Sequence, residues 1–378
     1  MRVERLDVTQ FRNHARTAVA FGQGINALVG ENGQGKTNIL EAISYLSLSK
    51  SFYASTDVQA VMVGKEFFDI TAQMVDDGGQ RADIRVGFHA ITGEKTVAVN
   101  GTPLDRVSAV VGMFPAVILS PDHGRIIAGA PAERRKFLDI VLSQTSSGYF
   151  ADVLEYRRIL RQRNRLLADA RPHGRGMSDA AEPWTDALIE HGSRIIFRRA
   201  VFLERLERAL HLAYADLVGA DDDLTLVYLT LDGVEKPKDP AEVAALMALA
   251  LDRCRQEEGR RGTTLVGPHR DDVTFFLRRL EAHAYASQGE QKTLLIALKL
   301  AEYQYVCETR EERPILLLDD VFAELDRRRA GRVLEHLTSL GQALITTTDG
   351  MVFAPVIAWN DHHRRFSIER GCCTAGQA

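Results

Sequence analysis

Cysteine is scarce in this 378-residue sequence: Cys254, Cys307, Cys372 and Cys373 stand without a C-x-x-C spacing among them. That excludes a disulfide framework and a cysteine-based zinc site, and Cys372 and Cys373 read as free thiols in a terminal tail. No apolar run approaches the ~20 residues that cross a bilayer, so no membrane role is expected. The opening MRVERLDVTQ is charged and strand-like and shows no secretory signal, which makes the cytoplasm the expected compartment. Positive charge is not in excess either. With a net charge of −4 there is no overall basic footprint, and contact with nucleic acid must come from local patches. Repeats and low-complexity tracts are also missing.

What is present is a chain with 45% apolar and 26% charged residues, long enough for two domains or lobes. Residues 2–10 and 16–21 read as short strands, and INALVG as a buried strand. TNILEAISYLSL follows with Ile39, Leu40, Ile43 and Leu46 at helical spacing. FFDITAQMV, ADIRVGFHA and KTVAVNGTPL read as antiparallel strands around an Asn100-Gly101 hairpin signal, and AVILS (116–120) as another buried strand. From about 131 to 215 the sequence is helix-like and arginine-rich, interrupted by the loop ARPHGRGMSDAAEP. A strand at DDDLTLVYLTLDG, a helix at PAEVAALMALALDRCRQ, and strands at DVTFFLRRL, PILLLDD and QALITTT complete the pattern, with a helix from 288. The fold class is α/β: a lobe with a mixed sheet and helices, split by a mostly helical second lobe.

The stretch VGENGQGKTN matches G-x-x-x-x-G-K-[ST] between a predicted strand and helix. Its residues Gly30, Glu31, Asn32, Gly33, Gln34, Gly35, Lys36 and Thr37 form the candidate cradle for ATP. Glycines let backbone N–H groups face phosphate oxygens, Lys36 would reach the β/γ phosphates, and the Thr37 hydroxyl would ligate Mg²⁺. The helix that begins there adds its positive dipole end. PILLLDD ends a buried strand in two carboxylates, where open α/β sheets bind ligands. Asp319 would hold Mg²⁺ and Asp320 would polarise the attacking water; Lys36, Asp319 and Asp320 are the candidate catalytic set. SQGEQ places Ser287, Gly289 and Gln291 at a helix N-terminus suited to an anion, here the γ-phosphate. A plain N-cap serine is the alternative.

This order of motifs resembles the ABC-type ATPases, in which the signature segment closes over ATP held by a second subunit. AELD (323–326) is similar to the D-loop, and TTTD (346–349) stands in the place of the switch segment. FRNH (11–14), PDHGRIIAGAPAERRKFLD (121–139), RQRNRLL (161–167), GPHRDD (267–272) and LLLDDVFAELDRRR (316–329) narrow the resemblance to the RecF family, from residue 2 to about 350. On that resemblance, residues 1–120 and 261–378 are the two parts of an ABC-type ATPase lobe, and 121–260 a helical arm that is the DNA-binding candidate. Arg12, in the loop after the first strand, would touch phosphate or lie idle at the surface. The resemblance further implies an ATP-dependent homodimer and binding to single-stranded and to duplex or junction DNA. It also implies partnership with RecR and RecO in loading recombinase, and support of fork repair and the SOS response. Two departures from the transporter pattern, Asp320 in place of glutamate and Thr348 at the switch position, imply slow, DNA-stimulated hydrolysis. No glutamine stands where AVILSPD would need one for a Q-loop.

Residues 133–175 hold ten Lys/Arg against five Asp/Glu. Arg134, Arg135, Arg157, Arg158, Arg161 and Arg165 are the candidate DNA-phosphate contacts, salt-dependent and blind to sequence. The alternatives are a solvated helix face and, for Arg134 and Arg135, structural pairing with Asp139 or Asp152. His269 reads as structural or hinge-like, and DHHRR (361–365) as an exposed tail. A transporter-energising ATPase and a non-hydrolysing architectural protein of the SMC group remain as rival readings.

Overall fold

The computed structural model describes residues 1–52, 56–170, 182–219, 222–325, 327–354 and 356–376. The loop expected at ARPHGRGMSDAAEP lies mostly outside them. Two compact units emerge: Met1–Gly124, Asp216–Gly219 and Leu295–Ala378 form the first, and Arg125–Ala215 with Ala220–Leu294 the second. The divisions read from sequence, at 121 and 261, fall close to the first boundary and well ahead of the last.

The first unit opens with β1 (Arg2–Phe11), β2 (His14–Ala20), β3 (Ile25–Val29) and α1 (Lys36–Leu48). Next come β4 (Phe67–Val75), β5 (Arg81–His89), β6 (Lys95–Val99), β7 (Thr102–Pro103) and β8 (Ala116–Leu119). The second unit contributes α2 (Arg125–Ala128), α3 (Pro131–Thr145), α4 (Ser147–Ala170), most of α5 (Glu182–Val218), β9 (Leu224–Leu229) and α6 (Pro240–Arg261). It continues with β10 (Asp272–Leu277), β11 (Leu280–Glu281), α7 (Ala282–Tyr285) and the start of α8 (Gln288–Arg310). The chain then adds β12 (Ile315–Asp319), α9 (Arg327–Ser339), β13 (Ala343–Thr347), β14 (Arg364–Glu369) and β15 (Cys372–Ala375) to the first unit.

Two six-stranded sheets organise the first unit. One is antiparallel in the order β2-β1-β4-β5-β6-β7; the other runs β15-β14-β3-β13-β12-β8 and is parallel from β14 to β8. Near-continuous apolar runs suit strands covered on both faces, and β8, β12 and β13 are buried along their whole length. Helix α1 packs against β1 and β5 of one sheet and β12 and β13 of the other, so it is buried beyond the predicted stripe, with Ala42 and Tyr45 fully covered. Phe11, Tyr45 and Phe68 meet edge to face with ring centroids 5.2 to 5.7 Å apart, fastening α1 to the antiparallel sheet.

The C-terminal segment corrects the tail expectation. β14 lies parallel to β3 with Phe366 and Ile368 buried, and β15 folds back on it. Only two alternating apolar residues among charges signalled a strand, which is why the sequence read as exposed. All four cysteines are free, as expected.

Buried charge holds the second unit together. Arg199 on α5 donates to the Tyr149 hydroxyl (3.0 Å), the Pro268 carbonyl (2.7 Å), Asp271 (2.8 Å) and Asp139 (2.8 Å). Arg163, inside the arginine-rich helix, is 1% exposed and pairs with fully buried Glu258 at 2.6 Å. Removing one partner of such a pair strands a charge in low dielectric and costs ~3–5 kcal/mol, whereas replacing both with apolar groups is often neutral. Arg163→Met is therefore expected to lower stability by about that amount. Arg163→Met with Glu258→Leu should recover most of it in urea melts; a double variant no more stable than the single one would show that the pair is not the reason for the loss.

Candidate nucleotide-binding site

Parallel pairing sets the geometry. Val29 lies opposite Thr347 and Asp319 opposite Thr346, so the glycine loop and the paired carboxylates emerge at one sheet edge. Gly30 must lack a side chain, because a Cβ there would stand 2.3 Å from the Ile368 carbonyl oxygen of β14. Gly35 has φ 108° and would press a Cβ against Asn13 and His14.

The FRNH stretch supports this loop. Arg12 and Asn13 form the turn between β1 and β2. From it the Asn13 amide donates to the Gln34 carbonyl at 3.0 Å, accepts from Asn38 at 2.8 Å, and His14 Nε2 donates to the Gly35 carbonyl at 3.0 Å. On the far side, the β14–β15 turn donates from the Gly371 N–H to the Gln34 carbonyl and from the Arg370 N–H to the Gln34 side chain. The Arg12 guanidinium forks onto buried Glu41 of α1 at 2.7 and 2.8 Å and reaches the Gln59 carbonyl.

Lys36 Nζ donates to the Gly30 and Glu31 carbonyls at 2.7 and 2.8 Å, curled within the loop it belongs to. Burial pulls its pKa below the usual lysine value, and the charges of Asp320 and Asp319 oppose that. Asp319 Oδ1 accepts from Thr37 Oγ1 and from Thr346 Oγ1, each at 2.7 Å. Burial raises the Asp319 pKa, those two hydroxyls lower it, and the neighbouring Asp320 charge raises it again. Asp320 sits in the left-handed region at φ 49°, with its N–H donated to Thr346 Oγ1 at 2.9 Å. Its Oδ1 is buried and finds no hydrogen-bond partner among the described residues. Such an atom is costly unless a ligand or water satisfies it.

These groups line a cavity of about 420 Å³ together with Asn32, Asn38, Ser120 and Asp122. The size is that of a nucleotide or cofactor site. Its oxygen donors, the Thr37 hydroxyl, the Asp319 carboxylate and the unsatisfied Asp320 Oδ1, are the hard ligands that Mg²⁺ takes. Ser120 and Asp122 stand where no Q-loop glutamine was found. Thr346, rather than the exposed Thr348, is the threonine at the carboxylates. Sequence reading missed it, although an alternating partner at the end of the neighbouring strand was a usable signal.

Ser287 heads α8 in the second unit. Its N–H and hydroxyl both donate to Glu290, at 2.9 and 2.8 Å, and the Glu290 N–H returns to its oxygen. That is a capping box, which keeps Ser287 and Gly289 at the open end of the helix. Gln291 donates backward to the Ala286 carbonyl. Asp326 of the AELD segment lies outside the described residues.

The arginine candidates separate. Arg134 forks onto Asp272 at 2.6 and 2.9 Å and reaches the Gly129 carbonyl, the structural pairing weighed for it but with another partner. Its partner is neither Asp139 nor Asp152. Arg135 is half-buried and donates to the Asp271 carbonyl. Arg157, Arg158, Arg161 and Arg165 are exposed on α4; Arg157 touches Asp139, and Arg158 pairs with Glu155 over the Trp184 ring. His269 is structural, as read: Tyr156 and the Thr264 carbonyl hold its two ring nitrogens.

The family model described as RecF/RecN/SMC N terminal domain matches residues 2–359. The DNA replication and repair protein RecF of Chloroherpeton thalassium is 43% identical over 94% of this chain and 97% of its own. That of Salinibacter ruber is 38% identical over 99% and 92%. The solved structure of the recombination mediator protein RecF-ATPrS in the RecFOR pathway superposes with a TM-score of 0.90 at 31% identity, covering 99% of this chain and 98% of that one. An Smc head bound to the C-winged helix domain of ScpA matches at 0.56 and 15% identity over 100% and 97%, a likeness of fold alone.

Thr346→Val keeps the shape but strips Asp319 of one donor and leaves the Asp320 N–H without its acceptor. A loss of ~1–3 kcal/mol in denaturant unfolding is expected, with slower phosphate release in single turnover. Release at the parent rate would show that Thr346 has no part in setting the carboxylates.

Proposed function

The chain belongs to the RecF family of DNA replication and repair proteins, and on that premise we propose that it is an ATP-operated DNA-binding switch of recombinational repair. The observation that carries this reading is the convergence of Thr37, Asp319, Thr346 and the unsatisfied Asp320 Oδ1 in one cavity beside the glycine loop. ATP binds with its phosphates over Gly30–Thr37. Lys36 exchanges the Gly30 and Glu31 carbonyls for phosphate oxygens, and the N–H groups opening α1 add their dipole. Thr37 and Asp319 would hold a magnesium ion, whose charge offsets that of the β/γ phosphates. Asp320 orients the attacking water through its free oxygen. Aspartate is one methylene shorter than the glutamate of fast relatives, which fits slow, DNA-stimulated hydrolysis used as a timer.

Ser287 and Gly289 of a second copy cap the γ-phosphate, so that two chains close head to tail around single-stranded, gapped or junction DNA. Hydrolysis reopens the pair. The exposed row Arg157, Arg158, Arg161 and Arg165 on α4 supplies phosphate contacts without base reading. The relatives are proteins of DNA replication and repair and of the RecFOR pathway. By that kinship RecR and RecO are the partners, with loading of recombinase and support of the SOS response as the outcome, in the cytoplasm.

Lys36→Met is expected to abolish ATP-dependent DNA binding. Ser287→Arg should still bind ATP yet stay monomeric in light scattering with ATP; ATP-driven dimers of that variant would sink the trans-capping model. Reversing Arg158 and Arg161 to glutamate should weaken DNA binding at low salt. It should also reduce the slope of log affinity against log salt by about 1 per lost phosphate contact. An unchanged slope would clear that face of a role.

A further inference from the structure

Cations outnumber carboxylates where α3, α4, α5 and the turn 267–272 meet within the second unit. Arg134 is spent on Asp272, and Arg199 on Asp139 and Asp271, with Arg157 reaching the second oxygen of Asp139. Arg135 and Lys136 form no direct ion pair among the described residues: the Arg135 guanidinium donates to the Asp271 main-chain carbonyl, and the charges of Asp271, Asp272 and Asp139 act on it from further off. Both line a cavity of about 280 Å³, together with the Asp139 carboxylate and the Arg157 and Arg199 that pair with it, over an apolar wall of Val153, Leu160 and Ile195. Burial, with the Arg199 charge next, pulls the Arg135 pKa below its ordinary value. A half-buried cation of that kind gains from an anion placed against it.

His269 closes part of the lining without adding charge. Its Nε2 donates to the Thr264 carbonyl at 3.2 Å, so the neutral ring accepts from the Tyr156 hydroxyl at Nδ1, 2.6 Å away. Burial holds its pKa down to about 4, and the ring stays neutral near pH 7. The fixed ring and the close-packed Gly267, where a Cβ would meet the Tyr156 hydroxyl at 2.4 Å, keep the cavity's shape.

We propose that this cavity binds a phosphate ester, with Arg135 and Lys136 as its charge partners. The local excess of cations suits a phosphate monoester, which carries about −1.5 to −2 at neutral pH. An arginine fork matches the paired oxygens of a phosphate in a bidentate contact. The volume admits a phosphate with a sugar-sized group. The same oxygens could come from a free monoester or from the diester backbone of a DNA strand. The site is separate from the ATP loop and stands whether or not the switch reading holds.

The test uses the full chain carrying Lys36→Ala, so that the ATP loop does not contribute. Inorganic phosphate, thymidine 5′-monophosphate and the dinucleotide dTpdT are titrated by calorimetry. Phosphate and the monophosphate are expected to bind, and Arg135→Gln with Lys136→Gln to weaken both by about tenfold or more. Arg208→Gln, an exposed arginine paired with Glu204 elsewhere in the unit, should change nothing. Binding of dTpdT with the same loss in the double variant identifies a DNA strand as the source; binding of the monoester alone identifies a free ligand. Should the double variant unfold, exposed Lys136→Ala alone carries the test, with a weakening of about threefold expected. No binding of any of the three probes, or binding untouched by these substitutions in a folded protein, overturns the proposal.

Discussion

One carboxylate oxygen holds the ATPase unit to its purpose. Asp319 Oδ1 receives hydroxyls from α1 and from β13 while its own backbone ends β12. That arrangement exists only if β3, β13 and β12 run parallel and in register, so that strand ends and the first turn of α1 arrive at one edge. The apolar runs of those strands, the sandwiched α1 and the absence of a side chain at Gly30 all serve that register. Burial raises the cost of ionising Asp319, and two hydrogen bonds and nearby Lys36 offset it. The result is a strand end whose two carboxylates open into the cavity beside the glycine loop.

The second unit uses charge differently. Arg199 ties α5 to α3, α4 and the 267–272 turn through four acceptors, and Arg163 ties α4 to α6 through Glu258. These internal pairs fix the rotation of α4, which leaves Arg157, Arg158, Arg161 and Arg165 outward on a helix of set orientation. A run of arginines thus divides into a structural part and a solvent-facing part, and burial alone separates the two.

The glycine loop, the paired carboxylates and the capped serine were legible because their chemistry sits in a few consecutive residues. Periodicity similarly revealed α1 and the buried strands. The missing pieces are those defined by partners far away in sequence. Thr346 matters through Asp319, Asn13 and His14 through the loop carbonyls, and Gln34 through a turn more than three hundred residues on. Arg12 pairs with Glu41 and Arg134 with Asp272, partners that no local spacing announces.

By itself the sequence determined the class of fold and the places of the glycine loop and the paired carboxylates, since local spacing dictates backbone turns, helix starts and strand ends. Tertiary structure alone decided which of many identical side chains remain available. An arginine's charge is the same everywhere in the chain. Whether that charge is spent on a buried carboxylate or left to meet a phosphate depends on what folding brings within about 3 Å of it.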